Sequence, residues 1–307
     1  MNISPPKTLS LCSNRSISAR THPLSGGPED WFTEYHLSQL GIKSTSFDFF
    51  VNWNHNFFVR TIWLKRFIDE KVSSLIQRRG WQEIFISKLK EHEGATQLSN
   101  LFTFCNSHKI SADFLVFNEN NWNENEPIIY ARLTSPSSLD VKVISLDELI
   151  SKISKGTGRA FRIGAKGLTY STSRLECYLS RTDTPYPGDA DILLWNKDQD
   201  GFKIIEFKKH NLSGPIHSQK LGNYYPRPDG AKYRRLHILS QYLPNTQLYT
   251  LYYTTDNRFQ TKIELNSTPR SNLFGGHSIT LESPKDKNNK VEIGNYLSKC
   301  IDFFNSN

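Results

Sequence analysis

The sequence predicts a mixed α/β protein. Three stretches predict it: two short strands between 188 and 209 joined by a turn, an amphipathic helix after them, and an aromatic and β-branched run beyond the helix. Helices and strands interleaved in this order pack as layers around a sheet.

The strands are Ile192-Leu193-Leu194-Trp195 and Phe202-Lys203-Ile204-Ile205-Glu206-Phe207, bounded by Pro187-Gly188 and separated by a turn ending in Asp200-Gly201. They read as a hairpin. The stretch Gly230 to Leu243 carries Tyr233, Leu236, Leu239 and Leu243 on one stripe and stops before Pro244, which predicts a helix. Gln247 to Thr255 then reads as a buried strand. Upstream, Ser171 to Ser180 has Leu175, Tyr178 and Leu179 at helical spacing.

The rest of the chain divides by composition. Residues 1–28 are rich in Ser, Pro, Asn and Gly and predict a flexible or peripheral segment. Residues 29–155 predict a separate helical and mixed region for recognition or partner binding. A long helix is expected from Asn56 to Arg79, a second from Trp81 to His92, and then a hairpin made by "ADFLVF" and "PIIYARL". Ser145 to Ile153 has the spacing of a capping box, and Gly156 and Gly158 mark the start of a second domain, 156–307. A strand at Thr261 to Asn266, a Pro/Ser/Gly-rich loop through Gly276 and a helix at Glu292 to Asn305 complete it. No internal repeat is visible.

Charges inside the first hairpin ask for an explanation. A symmetric turn sets Asp191 opposite Glu206, and alternation puts Lys208 on the face of Glu206 and Lys209 on the other. Two opposed carboxylates repel unless a cation lies between them. Mg²⁺, with Mn²⁺ as a substitute, suits oxygen ligands such as Asp191, Glu206 and the backbone carbonyl of Phe207, with Asp189 in reserve. Lys208 then stands where an ammonium can orient the attacking water and offset charge developing on a phosphate.

Asp191 followed by Glu206-Phe207-Lys208 resembles the PD-(D/E)xK nuclease superfamily, over roughly residues 160 to 256. The resemblance implies a restriction-endonuclease-like, three-layer αβα domain. It also implies a metal-dependent nuclease acting on DNA before RNA, and a Glu on the first helix, here Glu176, as a further ligand. The family's Pro-Asp dipeptide is here Pro187-Gly188-Asp189-Ala190-Asp191, so either aspartate fits the motif.

Each residue also has a plainer reading. Glu206 and Lys208 make an ordinary surface ion pair if their face is solvated, and Glu176 fits a capping box with Ser173. The control hairpin has Asp113 before an apolar run but Tyr130-Ala131-Arg132 where acid-x-Lys is needed, which makes it structural or half of a recognition domain. A net charge of +8 suits a phosphate binder, with 38 Lys and Arg beside 13 Tyr and 6 Trp. Lys232 and Arg235 share a helix face and are expected to meet backbone phosphates, with Lys209 contributing less and Arg234 facing solvent. A non-catalytic binding module on the same fold is the competing class; a small-molecule phosphoesterase would not need the basic helix.

The four cysteines, 12, 105, 177 and 300, form no Cys-x-x-Cys pair, which argues against a disulfide framework and for a reducing cytoplasm. Neither a signal peptide nor a membrane span is expected. The N-terminal region is the surface expected to carry a homodimer contact or a partner protein.

Overall fold

The structure, a computed structural model, describes residues 1–6, 9–19, 26–158, 167–210, 214–267 and 273–307. In chain order its strands are β1 Ile3–Ser4, β2 Ser10–Leu11, β3 Asn14–Ser18, β4 Lys43–Asn52, β5 Phe57–Ile68, β6 Ser111–Phe117 and β7 Ile128–Ser135. They continue as β8 Ser138–Ile144, β9 Tyr170–Ser171, β10 Gly188–Trp195, β11 Phe202–Lys209, β12 Thr246–Tyr253, β13 Gln260–Ser267 and β14 Phe274–Glu282. The helices are α1 Pro28–Trp31, α2 Glu34–Ser38, α3 Val72–Leu75, α4 Trp81–Glu93, α5 Ala95–Ser107, α6 Leu146–Thr157, α7 Arg174–Leu179, α8 Gly230–Tyr242 and α9 Lys290–Asn305. The chain is a mixed α/β protein.

It divides into two units that cut across the linear order. Unit 1 holds Met1–Ala19 and Phe47–Gly188; unit 2 holds Arg20–Ser46 and Asp189–Asn307. The expected division at 28 and 155 is therefore not where the contacts divide.

In unit 1, β4 pairs antiparallel with β5, β5 parallel with β6, β6 antiparallel with β7, and β7 antiparallel with β8. One sheet face, with Trp63, Leu115, Phe117 and Tyr130, is covered by Leu146, Leu149 and Ile153 of α6 and by Leu175 and Leu179 of α7. The opposite face carries Ile62, Leu64, Phe114 and Val116, all buried, and α5 packs on β6 and β7. α6 begins with the expected capping box, Ser145 Oγ accepting from the Glu148 amide at 3.2 Å while Glu148 Oε2 accepts from the Ser145 amide at 2.8 Å.

Several expectations fail here for physical reasons. Residues 57–68 form a strand, where a helix was expected from Asn56 to Arg79. Its residues Phe57-Phe58-Val59, Thr61-Ile62-Trp63 and Phe67-Ile68 are aromatic or β-branched, and pairing with β4 and β6 overrides the apolar spacing that also fits a helix. Parts of the N-terminal segment are ordered: Ile3–Ser4 pairs with Phe67–Ile68, and Ser10–Leu11 pairs with Tyr170–Ser171. Cys12 and Cys177 form a disulfide, contrary to expectation. At a sequence separation of 165, the pair leaves no local spacing to read, and the absence of Cys-x-x-Cys gave no ground for a reducing compartment. Cys105 and Cys300 are free and buried.

In unit 2, β10 pairs antiparallel with β11, β11 parallel with β12, β12 antiparallel with β13, and β13 antiparallel with β14. Ile205, Phe207, Tyr249, Leu251 and Tyr253 line one face with α9 and with Trp31, Phe32 and Leu37. The other face presents Glu206, Lys208, Thr250 and Tyr252 toward α8, whose Tyr233 hydroxyl lies 3.1 Å from Thr250 Oγ1. The loop expected through Gly276 gives way to β14 from Phe274 onward; residues 268–272 lie outside the described residues. Among the described residues no helix is long and apolar enough to cross a membrane.

Candidate functional site

The hairpin register is the one its symmetric turn predicts. Ile192 faces Ile205 and Leu193 faces Ile204, so continuing by one residue sets Asp191 opposite Glu206. Asp191 Oδ2 accepts the Phe207 amide at 2.7 Å, which fixes the aspartate across the strand end. Of Phe207, it is thus the amide that Asp191 engages. Ser46 Oγ donates to the Asp191 carbonyl at 2.6 Å.

Glu206 is the deepest of the acids, 1 % exposed, and its carboxylate gathers both neighbouring lysines. Lys208 Nζ lies 2.9 Å from Glu206 Oε1 and Lys232 Nζ lies 2.7 Å from the same oxygen. Lys232 also stands 3.2 Å from Asp189 Oδ1 and 3.6 Å from Asp191 Oδ1. Lys208 donates to Asp229 Oδ2 at 2.6 Å and lies over the rings of Tyr224 and Tyr233, at 5.3 and 5.6 Å from their centres. Burial opposes the charge on each lysine, but the acids outweigh it: Glu206 chiefly for Lys208, and Asp189, Asp191 and Glu206 for Lys232. Both therefore titrate above the ordinary lysine value. Burial, with Glu206 beside it, also pushes the Tyr233 hydroxyl up.

Among the described residues four carboxylates, those of Asp189, Asp191, Glu206 and Asp229, stand around the two ammonium groups. Asp189 and Asp229 are partly exposed and solvated, whereas Glu206 is buried. Glu206 Oε2 is buried and accepts no hydrogen bond among the described residues. Hard oxygens from Asp191 and Glu206, one of them without a donor, fit a divalent cation such as Mg²⁺. Among the described residues no three His, Cys, Asp or Glu side chains already stand in a ligating group; the acids close on Lys232 instead.

Other expected residues fall elsewhere. Glu176 lies in unit 1, where its carboxylate is taken up by Lys65 at 2.8 Å, Ser171 Oγ at 2.5 Å and Thr172 Oγ1 at 2.7 Å. It is not a capping-box partner, since its side chain accepts from the Thr172 amide rather than that of Ser173, although Ser173 Oγ caps the Glu176 amide. Arg235 is 4 % exposed and so is not a free phosphate contact, whereas Arg234 is exposed as expected. Helical spacing placed Arg235 with Lys232; the stripe that α8 buries is simply wider than the one drawn from Tyr233 and Leu236. Lys209 is half-buried on the face of Phe207. Asp113 is structural, held by Arg132 at 2.7 and 2.9 Å and by the Tyr130 hydroxyl.

Sequence reasoning missed Asp229 and the central place of Lys232. Asp229-Gly230 ahead of an amphipathic run was a helix-start signal, and an acid there sits on the face that meets Lys208. Glu264 was missed too; it accepts from the Leu221 amide at 2.7 Å and the Tyr252 hydroxyl at 2.9 Å. The chain matches no family model, no curated protein and no solved structure.

Proposed function

We propose that unit 2 is a divalent-cation-dependent nuclease domain of the restriction-endonuclease-like, three-layer αβα kind, hydrolysing phosphodiester bonds in nucleic acid, DNA before RNA. The carrying observation is Glu206, buried at the end of β11 opposite Asp191, with a carboxylate oxygen that accepts no hydrogen bond among the described residues. Asp191 and Glu206 would hold Mg²⁺ or Mn²⁺, and the bound ion would supply Lewis-acid stabilisation of the phosphate. Lys208, fixed by Glu206 and Asp229, keeps its proton and offers a fixed positive charge to the developing phosphorane oxygens. Asp229 and the two tyrosine rings orient that ammonium. The basic composition favours a polyanionic substrate over a small phosphoester. Restriction, phage defence, repair and mobile-element processing all use such chemistry.

A second reading is a non-catalytic nucleic-acid-binding module, and the 2.7 Å Lys232–Glu206 ion pair favours it, because a permanent ammonium there would close the cluster. Plasmid, single-stranded DNA and RNA incubated with Mg²⁺, Mn²⁺ or excess chelator separate the two. The nuclease reading requires cleavage that vanishes with chelator and in Glu206→Gln; binding without cleavage under every condition selects the module.

A further inference from the structure

The two units share one topology. Each begins with an antiparallel hairpin (β4–β5, β10–β11) and crosses through helix (α4 and α5, or α8) to a strand parallel to the second hairpin strand (β6, β12). Each then adds two antiparallel strands (β7–β8, β13–β14) and ends in a helix (α6, α9). The helices that precede each hairpin in the chain are exchanged between units: α1 and α2, ahead of β4, belong to unit 2, and α7, ahead of β10, belongs to unit 1. Agreement in four successive pairings and in helix placement is a duplication of architecture that no sequence repeat announces.

The faces toward the crossover helices differ in chemistry. Where β11 presents Ile204, Glu206 and Lys208, β5 presents Ile62, Leu64 and Arg66, and Arg66 is tied bidentately to Glu93 of α4. Opposite them, in place of Asp191, β4 offers Phe47 or, one pair along, Phe49. In either register the position of Glu206 is apolar and buried. Unit 1 keeps Asp48, Lys65 and Glu176 on the other face, the one covered by α6 and α7, and there a single ammonium is saturated by Asp48 at 2.8 Å, Glu176 at 2.8 Å and Thr172 at 2.6 Å.

We infer that unit 1 is a second, non-cleaving copy of the unit 2 architecture, so that one chain carries one phosphodiester-hydrolysing site and breaks one strand per encounter with duplex DNA. The inference rests on the nuclease reading of unit 2. It assigns unit 1 to holding the fold and the substrate rather than to a second cut.

Supercoiled plasmid in excess over protein, with Mg²⁺, at concentrations where light scattering shows single chains, tests it. Nicked circles should accumulate to most of the product before linear DNA appears. Glu206→Gln and Asp191→Asn, checked for fold by circular dichroism, should each remove nicking and linearisation together. Linear DNA from the first turnover, or nicking at about half the wild-type rate in the folded Glu206→Gln variant, would overturn the inference while leaving unit 2 a nuclease. A chain that cleaves nothing would overturn the nuclease reading and this inference with it.

Discussion

Unit 1 and unit 2 each set lysine among carboxylates, buried in unit 1 and half-buried in unit 2, and the two clusters are built to opposite ends. In unit 1, Lys65 meets Asp48, Glu176 and Thr172, so that all three ammonium protons have an acceptor, and the second Glu176 oxygen is filled by Ser171 and Thr172. In unit 2, Lys208 and Lys232 share Glu206 Oε1 while Oε2 accepts nothing among the described residues, and Asp189, Asp191 and Asp229 add charge around them. By charge the two clusters match, with two carboxylates to each ammonium; they differ in that both Glu176 oxygens have donors while Glu206 Oε2 has none among the described residues, which leaves it capacity for a cation. Residue types alone do not distinguish them. The stoichiometry of donors and acceptors does.

The largest expected effect is on chemistry. Glu206→Gln or Asp191→Asn should lower cleavage by several orders of magnitude with the fold intact, because charge stabilisation in the transition state is worth several kcal/mol. Cleavage within tenfold of wild type in either variant would remove unit 2 from the chemistry.

Next comes stability. Lys65→Met leaves two buried carboxylates without their cation and should cost about 3–5 kcal/mol in urea unfolding. A loss below about 1 kcal/mol would show that water already reaches the triad.

The pH dependence of stability should carry the mark of the same triad. Burial alone would raise the Glu176 pKa, but Lys65 and the Ser171 and Thr172 hydrogen bonds outweigh it and hold the group below the usual carboxylate value. Its contribution is therefore present above its unfolded value, about 4.3, and is lost as pH falls through its folded value. Lys65 is raised, burial being outweighed by Asp48 and Glu176, so its contribution is present below about 10.4 and is lost only as pH rises through the folded value. Denaturation midpoints followed from pH 7 down to 2 should fall less steeply in Glu176→Gln than in wild type.

The smallest effects sharpen the substrate surface. Arg234→Ala should change stability by no more than about 0.5 kcal/mol. If Arg234 meets a phosphate, the same change lowers the salt slope of DNA binding by about 0.9. Arg235→Ala, at a buried site, should instead cost more than about 1 kcal/mol with the slope unchanged.

Local pattern carried much of unit 2 into view. β10, β11, α8, β12 and α9 are each legible from alternation, helical spacing and punctuating Gly or Pro, and the Asp191–Glu206 opposition follows from turn symmetry. What failed depended on partners far away in the chain. Residues 57–68 have apolar spacing compatible with helix or strand, and only pairing with β4 and β6 decides. Cys12 needs Cys177, Glu176 needs Lys65, and nothing near either residue names the other. The duplicated topology was hidden for a related reason: Leu64 and Phe47 stand where Glu206 and Asp191 would, so the pairing order is shared while the side chains are not.

Mn²⁺ titration followed by calorimetry, comparing wild type with Glu206→Gln and with Glu176→Gln, bears most directly on the difference between the two clusters. The expected result is binding in wild type, loss of at least tenfold in affinity in Glu206→Gln, and unchanged binding in Glu176→Gln. Binding that survives Glu206→Gln, or that disappears with Glu176→Gln in a folded protein, would contradict it.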